Sequence, residues 1–345
     1  MNSASIIRPY ISLGLEAGMA GVLAGDIGGT KTRLALVEVK GTQANITSER
    51  EFVSADYASF DDLLAEFMAA AGVVQSAAFG VAGPVHKDTV QTTNLPWRIE
   101  ADALRQRFGF ANCHLLNDLE ATAYGLPALQ ADDLFTLHAG DPHAHGNRAI
   151  IAAGTGLGEA GLFWDGHTHR PFATEGGHAS FAPRNALELD FAHKLGERFG
   201  HVSWERVVSG MGIPDLYDFL LARQSGHTPD WLAQAIQTEG KAAAISNAAL
   251  SERDALCTET MHRFVSLYGA EAGNLALKTM CSGGLYVGGG IAPKIMPLLE
   301  SGPFLNAFLD KGRMRPLLEA MPVRIILNDR AALYGPALFA AQRQA

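Results

Sequence analysis

Strand-length apolar runs closed by glycines recur along the chain. Val22-Leu23-Ala24 leads into Gly25-Asp26-Ile27-Gly28-Gly29-Thr30-Lys31-Thr32 and out through the apolar stretch 33–39. Two apolar segments about a Gly-Gly pair predict a β-hairpin. The design returns at 149–163, where apolar segments flank Gly154-Thr155-Gly156. A third glycine stretch, Gly288-Gly289-Gly290 within 284–293, reads as a strand, a turn and a helix start with Pro293 near its first turn. Between these landmarks, helical spacing of apolar residues predicts a helix over 60–68, with Asp61 and Asp62 suiting its N-terminus. A buried strand follows over 77–84, ending in a Gly-Pro loop, then a loop over 92–97 and a helix over 101–108. Residues 114–118 read as a strand running into a helix over 119–125, and the pattern from 186 to 280 is mostly helical. At the far end, 323–327 and 331–341 predict a strand and a helix that return to complete the first half, the helix serving as a hinge.

A β-meander followed by alternating helix and strand is the order of a ribonuclease-H-like lobe. Two glycine hairpins of one design point to an internal duplication: an α/β protein of two such lobes facing each other across a cleft. Length agrees, since 345 residues make about two domains. We place an N-terminal arm at 1–20, a small domain at 21–128 plus 328–345, and a large domain at 129–327. A hydrophobic content of 48% fills two cores. No Pro/Ser-rich linker divides the chain, so the halves are expected to be closely joined. The arm carries a mildly apolar segment, 11–15, but Glu16 interrupts it before it could act as a secretory signal. We expect a poorly ordered or helical arm.

A formal net charge of −9, without a long Lys/Arg block, argues against a nucleic-acid surface. No run of 18 or more apolar residues spans a membrane. Cys113, Cys257 and Cys281 stand at no metal-ligand or disulfide spacing, so reduced, buried thiols and a cytoplasmic setting are expected, without structural zinc.

Backbone amides at the hairpin turns can point at phosphate oxygens, the glycines taking positive φ and letting a bulky anion approach. Asp26, at a strand end, can hold a hydrated cation. Ordinary tight turns would read the same way. Asn117-Asp118 places a carboxylate where open α/β sheets bind ligands, able to accept a proton from an alcohol. Either residue equally suits a helix N-cap. In Thr174-Glu175-Gly176-Gly177-His178 two glycines expose a carboxylate and an imidazole, the mix of acceptor and donor that hydroxyl-rich ligands need, or else a solvated turn. Glu205 stands beside Trp204 and next to Arg206, with which a plain surface pair is the alternative.

Together these segments resemble the bacterial ATP-dependent glucokinase family, within the superfamily of sugar kinases, actin and the Hsp70 ATPase domain. The resemblance runs from about Gly21 to Ala341. It implies an actin-like ATPase fold that phosphorylates D-glucose at its 6-hydroxyl with ATP and Mg²⁺, as a homodimer. It assigns Asp26, Gly28, Gly29 and Thr30 to the first phosphate motif and Gly154, Thr155 and Gly156 to the second, with Gly288, Gly289 and Gly290 to adenosine. Asp118 of the Asn117-Asp118 pair is the implied base. Asn94, Asn117, Asp118, Glu175, His178 and Glu205 are the implied binders of the sugar. A repressor-and-kinase (ROK) sugar kinase typically carries a cysteine-rich zinc motif soon after its Glu and His segment, whereas here 179–183 reads Ala-Ser-Phe-Ala-Pro. A kinase for another hexose or an N-acetylhexosamine, and a sugar-responsive regulator without catalysis, are the competing readings.

Overall fold

A computed structural model describes residues 20–92 and 95–343. Residues 1–19 of the expected arm, and Asn94, lie outside the described residues. Two compact units result, one comprising the chain up to Gln130 together with Arg330 onward, the other Ala131–Asp329.

The first unit is built on β1 (Ala20–Ile27), β2 (Lys31–Lys40), β3 (Gln43–Val53), β4 (Ser76–Val81) and, past a small hairpin of β5 (Thr89–Gln91) and β6 (Arg98–Glu100), β7 (Asn112–Asn117). The sheet order is β3-β2-β1-β4-β7. Its first three strands form an antiparallel meander, while β4 and β7 run parallel to β1. On one face the helix Phe60–Ala71 buries Phe60, Leu63, Leu64 and Phe67, the one-sided stripe expected of 3.6-residue periodicity. Each such side chain contributes on the order of 1.5–3 kcal/mol when fully buried. Ser59 caps this helix, accepting from Asp62 N at 3.2 Å, and Asp61 and Asp62 occupy its first turn.

The opposite face is lined by small residues, among them Ala24, Ala35 and Ala78. They let the helices Asp118–Gly125 and Ala331–Gln342 approach closely. A Cβ on Gly335 would lie 1.6 Å from Ala121 O, and one on Gly125 2.1 Å from Ala331 O, so glycine is required at both points.

The second unit repeats the plan. β8 (Leu134–His138) is followed by β9 (Arg148–Ala153), β10 (Leu157–Trp164), β11 (His169–Thr174), β12 (Leu285–Gly288) and β13 (Val323–Ile326), in the order β11-β10-β9-β12-β13-β8. Again a meander precedes two strands parallel to its first, β12 and β13. Helices fill the span between Ala186 and Thr279, ending with Ala255–Thr279, whose Met261, Phe264 and Tyr268 are fully buried.

One expectation needs correction. The strand at 323–326 does not return to the first unit: its register pairs Leu285 with Val323 and Val287 with Ile325, continuing the second sheet, and only the helix after it packs with the first. An apolar tetrapeptide suits either sheet; the long-range partner decides. β8, which adds an antiparallel edge to β13, gave no distinct sequence signal.

Candidate active site

In the first unit, Ile27 pairs with Val81 and Val81 with Asn117, so the hairpin turn after β1 and the residues after β7 leave the sheet at one edge. Open α/β sheets bind ligands at that edge. The turn Gly28-Gly29-Thr30 is closed by Gly28 N donating to Lys31 O at 3.0 Å. Gly28 does not adopt left-handed φ. Its glycine is needed for space instead, because a Cβ would stand 2.9 Å from Lys31 O. Ser54, fully buried, holds the turn from behind: its Oγ donates to Gly28 O at 2.9 Å and meets Thr32 Oγ1 at 3.0 Å, while its N–H donates to Thr30 O at 3.0 Å. Asp26 is opposite Arg33 in the β1/β2 register and its Oδ2 accepts from Arg33 Nη2 at 2.9 Å. That guanidinium compensates the carboxylate's charge.

Of Asn117 and Asp118, both of which suit an N-cap, it is Asn117 that takes the cap. Asn117 is the N-cap of the helix Asp118–Gly125, its Oδ1 accepting from Leu119 N at 3.0 Å and Glu120 N at 3.2 Å while Nδ2 donates to Gly83 O at 3.3 Å. Asp118 therefore sits at the first helical position. Its Oδ1 accepts from Leu119 N at 2.9 Å, and its main-chain oxygen accepts from Thr122 Oγ1 at 3.0 Å. A carboxylate there is favoured by the helix dipole. Gly80 of β4 lets this helix end approach, since a Cβ on it would stand 2.7 Å from Ala121 Cβ. On either side of residues 93–94, Thr92 Oγ1 donates to Leu95 O at 2.8 Å and Trp97, 2% exposed, donates Nε1 to Tyr57 O at 3.2 Å.

In the second unit three segments converge. The turn Gly154-Thr155-Gly156 joins β9 to β10, with Gly154 N donating to Gly156 O at 2.9 Å. Gly210 N donates to Gly154 O at 2.8 Å, tying on the segment that follows the short helix Trp204–Val207. From that helix Glu205 Oε2 accepts from Leu157 N at 3.0 Å, and a Cβ on Gly156 would meet this oxygen at 2.3 Å. Glu205 does not make the surface pair with Arg206, whose guanidinium instead lies 4.2 Å from the Phe199 ring centre.

The Glu175–His178 loop runs alongside. Phe181 N donates to Val202 O and Trp204 N to Ala179 O, each at 2.9 Å, and a Cβ on Gly177 would stand 2.0 Å from Leu157 O. Glu175 and His178 are more than half exposed, with Oε2 and Nε2 3.9 Å apart, beyond hydrogen-bonding range. The two polar tips thus stand side by side, as a ligand bearing several hydroxyls requires.

Gly288 of β12 is in register with Ala152 of β9, so Gly288-Gly289-Gly290 leaves the sheet beside the second hairpin. Gly289 has φ +82°, and a Cβ on it would stand 2.3 Å from Ala153 O. Tyr268, which no sequence motif singled out, fastens this place: its hydroxyl accepts from Ala153 N at 3.1 Å and lies 3.3 Å from Ile151 O and 3.4 Å from Gly288 O. Burial pushes its phenol up. Gly154 and Gly156, like Gly28, avoid the left-handed φ expected of these turns; close packing calls for glycine at 28 and 156, whereas a Cβ on Gly154 would meet nothing within 4 Å. The three cysteines are buried, and desolvation pushes each thiol up to about 12.

Two units with one strand order, each carrying a glycine hairpin out of its first long strand, define a sugar kinase of actin-like ATPase fold. Comparison with known proteins gives the family. A glucokinase family model matches residues 23–343. A glucokinase from Nostoc punctiforme is 45% identical over 337 residues, covering 93% of this chain and 99% of its own. The crystal structure of a glucokinase from an Antarctic psychrotroph superposes with a TM-score of 0.80 at 31% identity, covering 93% of this chain and 99% of that one. A ROK-family glucokinase from Streptomyces griseus, solved with glucose and AMPPNP, shares the fold at a TM-score of 0.66 and 24% identity over 94% of this chain and 100% of its own. The chain belongs to the glucokinase family.

Proposed function

We propose that this protein transfers the γ-phosphoryl group of ATP to the 6-hydroxyl of D-glucose, giving glucose 6-phosphate, with Asp118 as the base. Family membership supports the reaction. The observation that supports the base is the division of labour between Asn117 and Asp118: with Asn117 serving as helix cap, Asp118 is not required for that task. Its carboxylate accepts the proton as the sugar oxygen attacks phosphorus, general-base help worth about 10²- to 10⁴-fold. Phosphoryl transfer otherwise depends on positioning and on donors aimed at developing charge. The amides of the Gly28–Thr30 and Gly154–Gly156 turns are those donors in this reading. Gly288-Gly289-Gly290 receives the adenosine. Asn94, Glu175, His178 and Glu205 hold glucose hydroxyls.

The chain has no cluster of three or more metal-ligating side chains among the described residues. Asp26, a single carboxylate at the end of β1, fits Mg²⁺, which is usually held by one or two carboxylates plus substrate phosphates. Asp26 would hold the ion in this reading, and the chemistry supplied there would be charge neutralisation at the phosphates. The compartment we infer is the cytoplasm, where the product enters glycolysis; the unpaired, buried Cys113, Cys257 and Cys281 suit a reducing setting. A homodimer is inferred from family resemblance, and light scattering on the purified chain tests it. The deciding experiment is an acceptor panel with ATP and Mg²⁺: glucose should have the highest kcat/KM among glucose, mannose and N-acetylglucosamine. Preference for another sugar overturns the substrate, and sugar binding without turnover overturns the enzyme.

A further inference from the structure

Behind the Glu175 loop the second unit buries two carboxyls that the proposed reaction does not use. Glu159 of β10 is 2% exposed, and Glu271 of the helix Ala255–Thr279 is 0% exposed. Glu271 has donors: Asn274 Nδ2 at 2.7 Å from Oε2 and Lys278 Nζ at 3.2 Å from Oε1. Its negative charge is thereby compensated. Glu159 has no such cation. Its Oε1 is buried with no donor on it, and the side chain it faces is Glu271 itself. Two buried carboxyls that act on each other away from water do not both ionise, so one keeps a proton. Placing that proton on Glu159 turns a repulsion into a hydrogen bond donated to Glu271. Burial first, then the charge of Glu271, push Glu159 well above the usual carboxylate range, with Lys278 opposing.

The surrounding charges are few. Tyr268 lies on the same helix as Glu271. Lys311 donates to Ala270 O at 2.9 Å and Asn274 Oδ1 at 2.8 Å, with Arg184 and Asp310 acting on it. On the strand side, Thr174 is opposite Glu159 in the β10/β11 register. Thr174 Oγ1 donates to Glu159 O at 2.9 Å and accepts from Gly176 N at 3.2 Å. Gly176 itself rests on the carboxyl, since a Cβ there would be 1.9 Å from Glu159 Oε2.

We propose that Glu159 is a positioning residue for the sugar loop: its protonated carboxyl donates to Glu271 and gives Gly176 a neutral seat, fixing Glu175 and His178 for their ligand. This rests on the reading that Glu175 and His178 hold glucose. Losing the proton leaves two adjacent anions beneath the segment that carries Glu175, and repulsion unseats it. Apparent glucose affinity scales with the seated fraction, so above the midpoint of Glu159 it falls about tenfold per pH unit.

The test is the glucose KM of the full-length enzyme from pH 6 to pH 10, with the ATP KM measured alongside. For the wild type, glucose KM should climb at alkaline pH while ATP KM climbs much less. Glu159→Gln imitates the protonated acid and should keep glucose KM within about twofold of its neutral value across the range. A flat wild-type profile, or a Glu159→Gln profile climbing in parallel, overturns the proposal. Calorimetry on the unmodified enzyme gives a reading that needs no variant: above the midpoint, glucose binding should take up about one proton, seen as a buffer-dependent enthalpy. No proton uptake also overturns it. Glu175→Gln separates the underlying reading, because unchanged glucose affinity in that variant defeats the sugar site itself, whatever Glu159 does.

Discussion

Glu205 Oε2 accepts the main-chain N–H of Leu157 at 3.0 Å, joining the short helix Trp204–Val207 to the first residue of β10. A side chain assigned to sugar thus also braces the turn assigned to phosphate. Glu205→Ala should therefore raise the KM of both glucose and ATP. Glu205→Gln keeps an acceptor oxygen and should damage ATP KM less than alanine does. Steady-state kinetics with each substrate varied will decide, and an ATP KM unmoved by Glu205→Ala would deny the brace any part in nucleotide binding.

Asn117 and Asp118 should separate in the same manner. Asp118→Asn is expected to lower kcat by about 10²- to 10⁴-fold while glucose affinity and melting temperature change little. Asn117→Ala removes the cap and should cost about 0.5–2 kcal/mol of stability. Chemical denaturation and single-turnover kinetics on both variants check the pair. Wild-type kcat in a folded Asp118→Asn enzyme removes the base from the mechanism.

Ser54 lies outside every motif read from sequence, yet it holds the first glycine turn through Gly28 O and Thr30 O. Ser54→Ala leaves Gly28 O and Thr32 Oγ1 without their partner. We expect a loss of about 1–3 kcal/mol in stability and a raised ATP KM, with glucose KM nearly unchanged. A larger change in glucose KM than in ATP KM would contradict the assignment of this turn to phosphate.

Gly335 tests the packing of the small-residue face. A methyl group there meets Ala121 O at 1.6 Å, so Gly335→Ala must push two helices apart. Overpacking of this kind costs about 1–3 kcal/mol or more. Thermal unfolding of Gly335→Ala is to be compared with Gly196→Ala, where a Cβ meets nothing within 4 Å, and an unchanged melting temperature for Gly335→Ala would contradict the close approach.

The cysteines give a chemical check. With all three thiols buried and pushed up to about 12, a disulfide-exchange reagent at pH 8 should react with none in the native protein and with three after denaturation. Rapid reaction of a native thiol would place at least one of them at the surface.

The glycine hairpins were legible because their signal is local: an apolar run, a turn residue and a second apolar run lie within about fifteen residues. Asn117-Asp118 was legible as a pair but not as a division of roles, since both side chains suit an N-cap and only the helix geometry separates them. Ser54, Tyr268 and the Glu159–Glu271 contact escaped for a different reason. Each acts on a partner 26 to 117 residues away, as in Ser54 to Gly28 and Tyr268 to Ile151, and no periodicity records that meeting. Tyr268 looks like any aromatic on a helix face until Ala153 N is found on its hydroxyl. The pattern at 323–326 misled for the same reason, its composition being equally at home in either sheet, although the domain boundary drawn at 327 put it with the second unit.

The return of Ala331–Gln342 to the first unit also sets an order of assembly on the ribosome. By the time Ile326 has emerged, every strand of the second sheet exists and that unit can close. The first unit, though begun earlier, still has Val22, Ala24, Ala35 and Ala78 waiting for Leu333 and Ala337 to cover them. Its apolar Ala-rich face stays uncovered until that helix emerges, so of the two sheets the one translated first is sealed last and is exposed meanwhile to chaperones.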